Sequence, residues 1–124
     1  MKTLFFAAIL LSVLNTKDGC RKTENDKAYK GRLEIKGMCM NYTIKLLAGN
    51  LDTSLIENKW TDENTNKSYT NVFALGSRCS FPASIEQGEE FLFTIDSTTV
   101  QNCSVCLAYY PTPSKHLSIK VIDK

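Results

Sequence analysis

The sequence predicts an all-β domain, a small antiparallel barrel or sandwich of six or seven strands with an OB-like barrel among its forms, behind a cleaved N-terminal signal. Three observations carry that expectation. Apolar and polar residues alternate with period two in one short segment after another, turn-forming residues interrupt the chain about every ten positions, and no run of ten or more residues places apolar side chains at helical spacing.

The start of the 124-residue chain stands apart from that pattern. Met1-Lys2-Thr3 leads into Leu4 to Leu14, eleven residues in which Ser12 is the only polar side chain. This is the layout of a secretory signal peptide, and residues 1–19 are assigned to it. Eleven helical residues rise about 16 Å, roughly half of a ~30 Å hydrocarbon core, so a permanent transmembrane helix is not expected. Gly19-Cys20 closes the segment, and here the leader resembles that of bacterial lipoproteins, in which the cysteine after the cut is diacylated on sulfur. Lys17 and Asp18 stand where such leaders carry apolar or small residues. The resemblance makes Cys20 the expected lipidation site and a lipid on it the expected link to a membrane; simple secretion is the alternative.

Residues 20–30 are almost wholly polar and are expected to form a flexible tether, with residues 31–124 as a single β-domain. Within it Leu33 and Ile35 alternate with Arg32, Glu34 and Lys36, and Tyr42, Ile44 and Leu46 with Thr43 and Lys45. Phe91, Phe93 and Ile95 alternate with Leu92, Thr94 and Asp96, and Leu117, Ile119 and Val121 with Ser118, Lys120 and Ile122. These four segments read as strands with one face in the core and one in water. Residues 55–60 and 69–75 flank the polar run Asp62 to Lys67 and read as a hairpin. Residues 104–110 are expected as one more strand before the Pro111-Thr112-Pro113-Ser114 turn.

Removing Lys2 and Lys17 from the fifteen basic side chains, and Asp18 from the thirteen acidic ones, leaves the mature chain with a net charge of +1. Near-neutrality argues against nucleic acid as a partner. Five cysteines stand at positions 20, 39, 79, 103 and 106. With Cys20 lipidated, Cys39, Cys79, Cys103 and Cys106 form an even set for two structural disulfides, in any of three connectivities. Cys103-Ser104-Val105-Cys106 is also the spacing of a redox or zinc motif, but it leads into a strand-like segment rather than a helix and has no second close pair.

No catalytic constellation emerges. The one histidine, His116, lies in the Pro-Ser-Lys-His-Leu turn before the last strand, where a solvated loop position is expected rather than a catalytic one. Glu89-Glu90 and Asp62-Glu63 are neighbours at turns, where strand geometry would point them apart. Asp52, Asp62, Glu63 and Asn64 offer oxygens without the spacing of a calcium loop, so neither a metal nor a cofactor is expected. Aromatic side chains remain: most belong in the core, while Trp60, Tyr109 and Tyr110 could form a stacking surface for a sugar or peptide.

Trp60-Thr61-Asp62, Ser68 to Phe73, Cys79-Ser80-Phe81-Pro82 and Asn102 to Ala108 resemble corresponding stretches of small exported proteins and lipoproteins of Bacteroidetes-type bacteria, over about residues 30–122. That likeness implies an exported, compact β-domain and carries no activity with it. Cys79 to Pro82, Gly88 and Phe91-Leu92-Phe93 are similar to the OB-type barrel of netrin-like and metalloprotease-inhibitor domains. Inhibitors of that kind chelate zinc through an N-terminal Cys-x-Cys, which Cys20-Arg21-Lys22 lacks. The function expected is a non-enzymatic cell-envelope module, periplasmic or anchored at the outer membrane, that binds or supports an envelope protein or glycan. A thiol- or metal-dependent enzyme using Cys103, Cys106 and His116, and a soluble secreted inhibitor or effector, are the alternatives.

Overall fold

The structure, a computed structural model, describes residues 27–98 and 101–124. The signal segment and Cys20 lie outside the described residues, as does the tether up to residue 26.

Seven strands form one sheet without an α-helix among the described residues. Strand β1 (Tyr29–Lys36) is central to it: Tyr29, Gly31, Leu33 and Ile35 are buried, while the residues between them are exposed or half-buried. It pairs antiparallel with β2 (Tyr42–Ala48), from Lys36 opposite Tyr42 to Lys30 opposite Ala48, and with β5 (Glu90–Ile95), from Tyr29 opposite Phe93 to Arg32 opposite Glu90. Irregularities in the β1–β2 register between Leu33 and Ile35, and between Lys30 and Gly31, bend β1 enough to serve both neighbours.

Strand β4 (Ser68–Leu75) lies against β2 on one side and divides its other side between two partners. Its first part pairs with β3 (Glu57–Thr61), from Thr61 opposite Ser68 to Glu57 opposite Val72. Its last two residues pair in parallel with β6 (His116–Leu117). One residue further on, β7 (Ile119–Asp123) pairs antiparallel with β5. The hydrogen-bonded order is β3-β4-β2-β1-β5-β7, with β6 returning to β4. Residues 116–123 thus reach from one end of the β4-β2-β1-β5 run to the other, although among the described residues no full strand pair closes the sheet into a barrel.

Ser77 extends that narrow seam. It is buried, and its hydroxyl donates to the Ile119 carbonyl and accepts from the Ile119 N–H, each at 2.8 Å, while Gly76 N–H donates to the Leu117 carbonyl at 2.7 Å. A Ser77→Ala substitution leaves both polar groups of the buried Ile119 backbone without that partner. We expect it to lower the unfolding free energy by about 2 kcal/mol in urea titration. An unchanged midpoint would mean that Ser77 does not hold the seam.

The core gathers the inward face of each strand: Leu33, Ile44, Phe73, Leu75, Phe91, Phe93, Leu117 and Ile119, with Phe81 and Ile85 from the β4–β5 connection. The rings of Tyr29, Phe73 and Phe91 surround Phe93 with centroids 5.5, 5.9 and 6.0 Å away. Gly31 makes room for this group, because a Cβ there would lie 3.0 Å from the Phe93 ring.

Four sequence expectations need correction. Residues 104–110 form no strand, because the chain there is held by disulfides and side chains rather than by a neighbouring strand. Strand β1 begins at Tyr29, inside the expected tether, since Tyr29 stacks on Phe93. Ile95, at the end of β5, is 39% exposed instead of facing the core. His116 is not in the turn but opens β6, exposed and opposite Ala74.

Candidate functional site

The segment 101–115 runs between β5 and β6 without strand or helix and is tied to the domain at several points. Cys79 pairs with Cys103 and Cys39 with Cys106, one of the three connectivities open to four cysteines. The spacing of 103 and 106 therefore serves two separate bridges. Neither sulfur is a thiol, and the motif holds no internal dithiol couple. Two disulfides in so small a domain fit an exported chain.

The turn Met38–Met40, between β1 and β2, receives this strap. Cys39 sits there at φ 58°, in the left-handed region that non-glycine residues seldom occupy, held by its disulfide and by the Asn41 N–H to Met38 carbonyl bond at 3.1 Å. Asn41 Nδ2 donates to the Ala108 carbonyl at 3.3 Å and to the Met38 carbonyl at 3.0 Å, while its Oδ1 accepts from Arg78 Nη2 at 3.0 Å. Tyr110 lies on Gly37 so closely that a Cβ at 37 would stand 2.6 Å from its ring, which explains a glycine at the end of β1. Tyr109 points outward, 77% exposed, and its hydroxyl donates to Glu63 at 2.5 Å. That bond to a carboxylate raises the phenol pKa above its ordinary value.

Glu63 belongs to the loop joining β3 and β4, which Asp62 organises. The Asp62 N–H donates to the Lys67 carbonyl at 2.9 Å, its carboxylate accepts from the Asn64 N–H at 2.9 Å, and its carbonyl accepts from the Asn66 N–H at 2.8 Å. These bonds fix the hairpin register and so set Trp60 directly opposite Tyr69. The two rings stack, 5.8 Å between centroids and 28° between planes, and Lys67 Nζ lies 5.2 Å over the Tyr69 ring. Burial, followed by the charges of Asp62, Glu34 and Tyr110, pushes the Tyr69 phenol up.

Of the three aromatic residues singled out from sequence, Trp60 and Tyr109 are thus linked indirectly, through the Asp62 to Lys67 loop, and Tyr110 is half-buried against Gly37. Tyr69 and Lys67 complete the patch and were missed. The signal that could have found them is the hairpin register, since equal counting outward from the polar run brings residue 69 opposite 60. The carboxylates considered for a cation serve other ends. Asp52 accepts from the Ser54 N–H at 2.9 Å, which holds its carboxyl below the usual range, and Asp62 serves its loop. Among the described residues no group of three or more His, Cys, Asp or Glu side chains is placed to hold a metal.

The paired carboxylates are separated as well. Glu89 bonds Lys124 at 3.4 Å and Glu90 bonds Lys30 at 3.1 Å. The Lys30–Glu90 pair lines a depression of about 380 Å³ with Phe91, Leu92, Asp123 and Lys124, on strands away from the strap. No protein-family model, no curated protein and no solved structure matches the chain.

Proposed function

We propose that the chain is a non-enzymatic module of the cell envelope, anchored through a lipid on Cys20, that presents its strap and hairpin aromatics to an envelope glycan or protein. One observation carries this reading: two disulfides take up Cys39, Cys79, Cys103 and Cys106, so the sequence's fifth cysteine is the one at the Gly19-Cys20 step of the leader. An even set inside the domain and a single cysteine at the cut site fit lipidation better than secretion with a spare thiol.

A binding role draws further support from strand order. Taking residues 116–123 as one unit, the sheet runs β1-β2-β4, then that unit, then β5, with a parallel pairing between β4 and β6 and with β3 as an added arm, an order that fits the proposed OB-type likeness. OB-type barrels bind chain-like ligands through two loops, whose counterparts under that likeness are residues 37–41 and 101–115. Those are the two loops that the Cys39–Cys106 bridge joins.

The test is the intact mass of protein taken from the native envelope, before and after reduction, together with fractionation of a Cys20→Ser variant. A mature chain starting at Cys20, heavier by a diacylglyceryl group and carrying two disulfides, is the expected result. The variant should move from the detergent-extracted membrane fraction to the soluble one. An unmodified Cys20, or a variant that stays in the membrane, would sink the anchored reading.

A further inference from the structure

We infer that Cys106-Leu107-Ala108 is a substrate-like binding loop for a peptidase, fitted to a serine endopeptidase whose specificity pocket takes an apolar side chain. Leu107 is 96% exposed, the highest value among the exposed large apolar side chains of the described residues. A leucine at the surface is ordinary by itself. This one sits on a segment fixed on both sides, which is not. Cys106, immediately before it, is bonded to Cys39, and the carbonyl of Ala108, immediately after it, accepts from Asn41, which Arg78 holds in turn.

The rest of the segment leaves this loop accessible. No strand or helix covers residues 101–115, so the main chain around Leu107 is free of the sheet and can pair edge-on with a partner strand. Leu107 and Tyr109 are both exposed, with the small, also exposed Ala108 between them. Because the bridges order the loop in advance, a partner need not pay its ordering entropy. Tight protease–inhibitor complexes form between surfaces that change shape little.

The same ties make the loop an inhibitor rather than a substrate. Hydrolysis of the Leu107–Ala108 bond would consume one water and leave a carboxylate on Leu107 and an amine on Ala108. The first end stays attached through the Cys106 disulfide, and the second through Asn41 and through Tyr110 against Gly37. The two ends therefore remain in register, and the cleaved bond can reform instead of releasing the enzyme. A leucine at the cut position selects an apolar slot of the chymotrypsin kind over the aspartate-lined pocket of trypsin.

The experiment titrates chymotrypsin and trypsin with the mature, disulfide-bonded protein and follows hydrolysis of a chromogenic peptide. Stoichiometric inhibition of chymotrypsin is expected, without inhibition of trypsin. Leu107→Arg should weaken the chymotrypsin complex by about 100-fold and create inhibition of trypsin, whereas Leu107→Gly should remove both. A side chain so exposed adds nothing to folding, and circular dichroism with a thiol count checks that the variants keep the fold. Absence of inhibition, rapid cleavage that frees active enzyme, or a Leu107→Arg variant that leaves trypsin untouched would each overturn the inference. The lipid on Cys20 plays no part in this test, so its outcome is independent of the anchor.

Discussion

Replacing Cys39 and Cys106 together by alanine should lower the unfolding free energy by about 4 kcal/mol, the chain-entropy value for a loop of this length. The bridge spans 67 residues of sequence, whereas Cys79–Cys103 spans 24 and is expected to contribute about 3 kcal/mol by the same reasoning. Small domains keep only about 5–15 kcal/mol in total, so the double variant should melt roughly 15–30 °C lower and sit near the limit of folding at growth temperature. Thermal unfolding by circular dichroism checks this. A midpoint within a few degrees of the parent would show that the two cysteines are not bonded to each other in the folded protein.

A comparable loss is expected from Phe93→Ala, about 3–5 kcal/mol. Phe93 is fully buried, and its ring is packed by Tyr29, Phe73 and Phe91, with Gly31 beneath it. Neither backbone nor ring neighbours can follow an alanine into the space, since both belong to paired strands. The control is Leu92→Ala, one residue away on the opposite face of β5 and 37% exposed, which should cost less than about 1 kcal/mol. Equal losses for the two variants would mean that β5 does not turn Phe93 to the core and Leu92 away from it.

The strands were legible because alternation records a backbone conformation with two unlike faces. Leu33 and Ile35, Tyr42 and Ile44, Phe91 and Phe93, and Leu117 and Ile119 all carry that signature, and all are buried. The signature does not name a partner, however. Val105, Leu107 and Tyr109 alternate as a strand would, yet the chain there has no sheet neighbour, and Leu107 and Tyr109 face water. Disulfide bonds and single contacts such as Asn41 to Ala108 supply what a ladder would otherwise provide, and nothing in a local pattern distinguishes the two cases.

The site was legible to a smaller degree. Trp60 stood out as the only tryptophan, but its stacking on Tyr69 depends on two backbone bonds and one to the Asp62 carboxylate within the Asp62 to Lys67 loop. Ser77 gave no signal, because one hydroxyl in a Gly-Ser-Arg stretch looks like any other loop serine until Ile119 is brought beside it. Cysteine pairing was equally open, since spacing along the chain says nothing of which end of the sheet each cysteine reaches.

The placement of Cys103 and Cys106, three positions apart and bonded to different partners, works as a gauge for the strap. Exchanging the partners, so that Cys39 took Cys103 and Cys79 took Cys106, would slide the strap by three residues relative to the Met38–Met40 turn. Ala108 would then miss Asn41, and Tyr110 would leave the notch at Gly37. The correct isomer is the one in which covalent register and side-chain register agree. The Gly37 notch and the Asn41 amide thus favour one bridge pattern over the others, so that side-chain packing and covalent register select the same isomer.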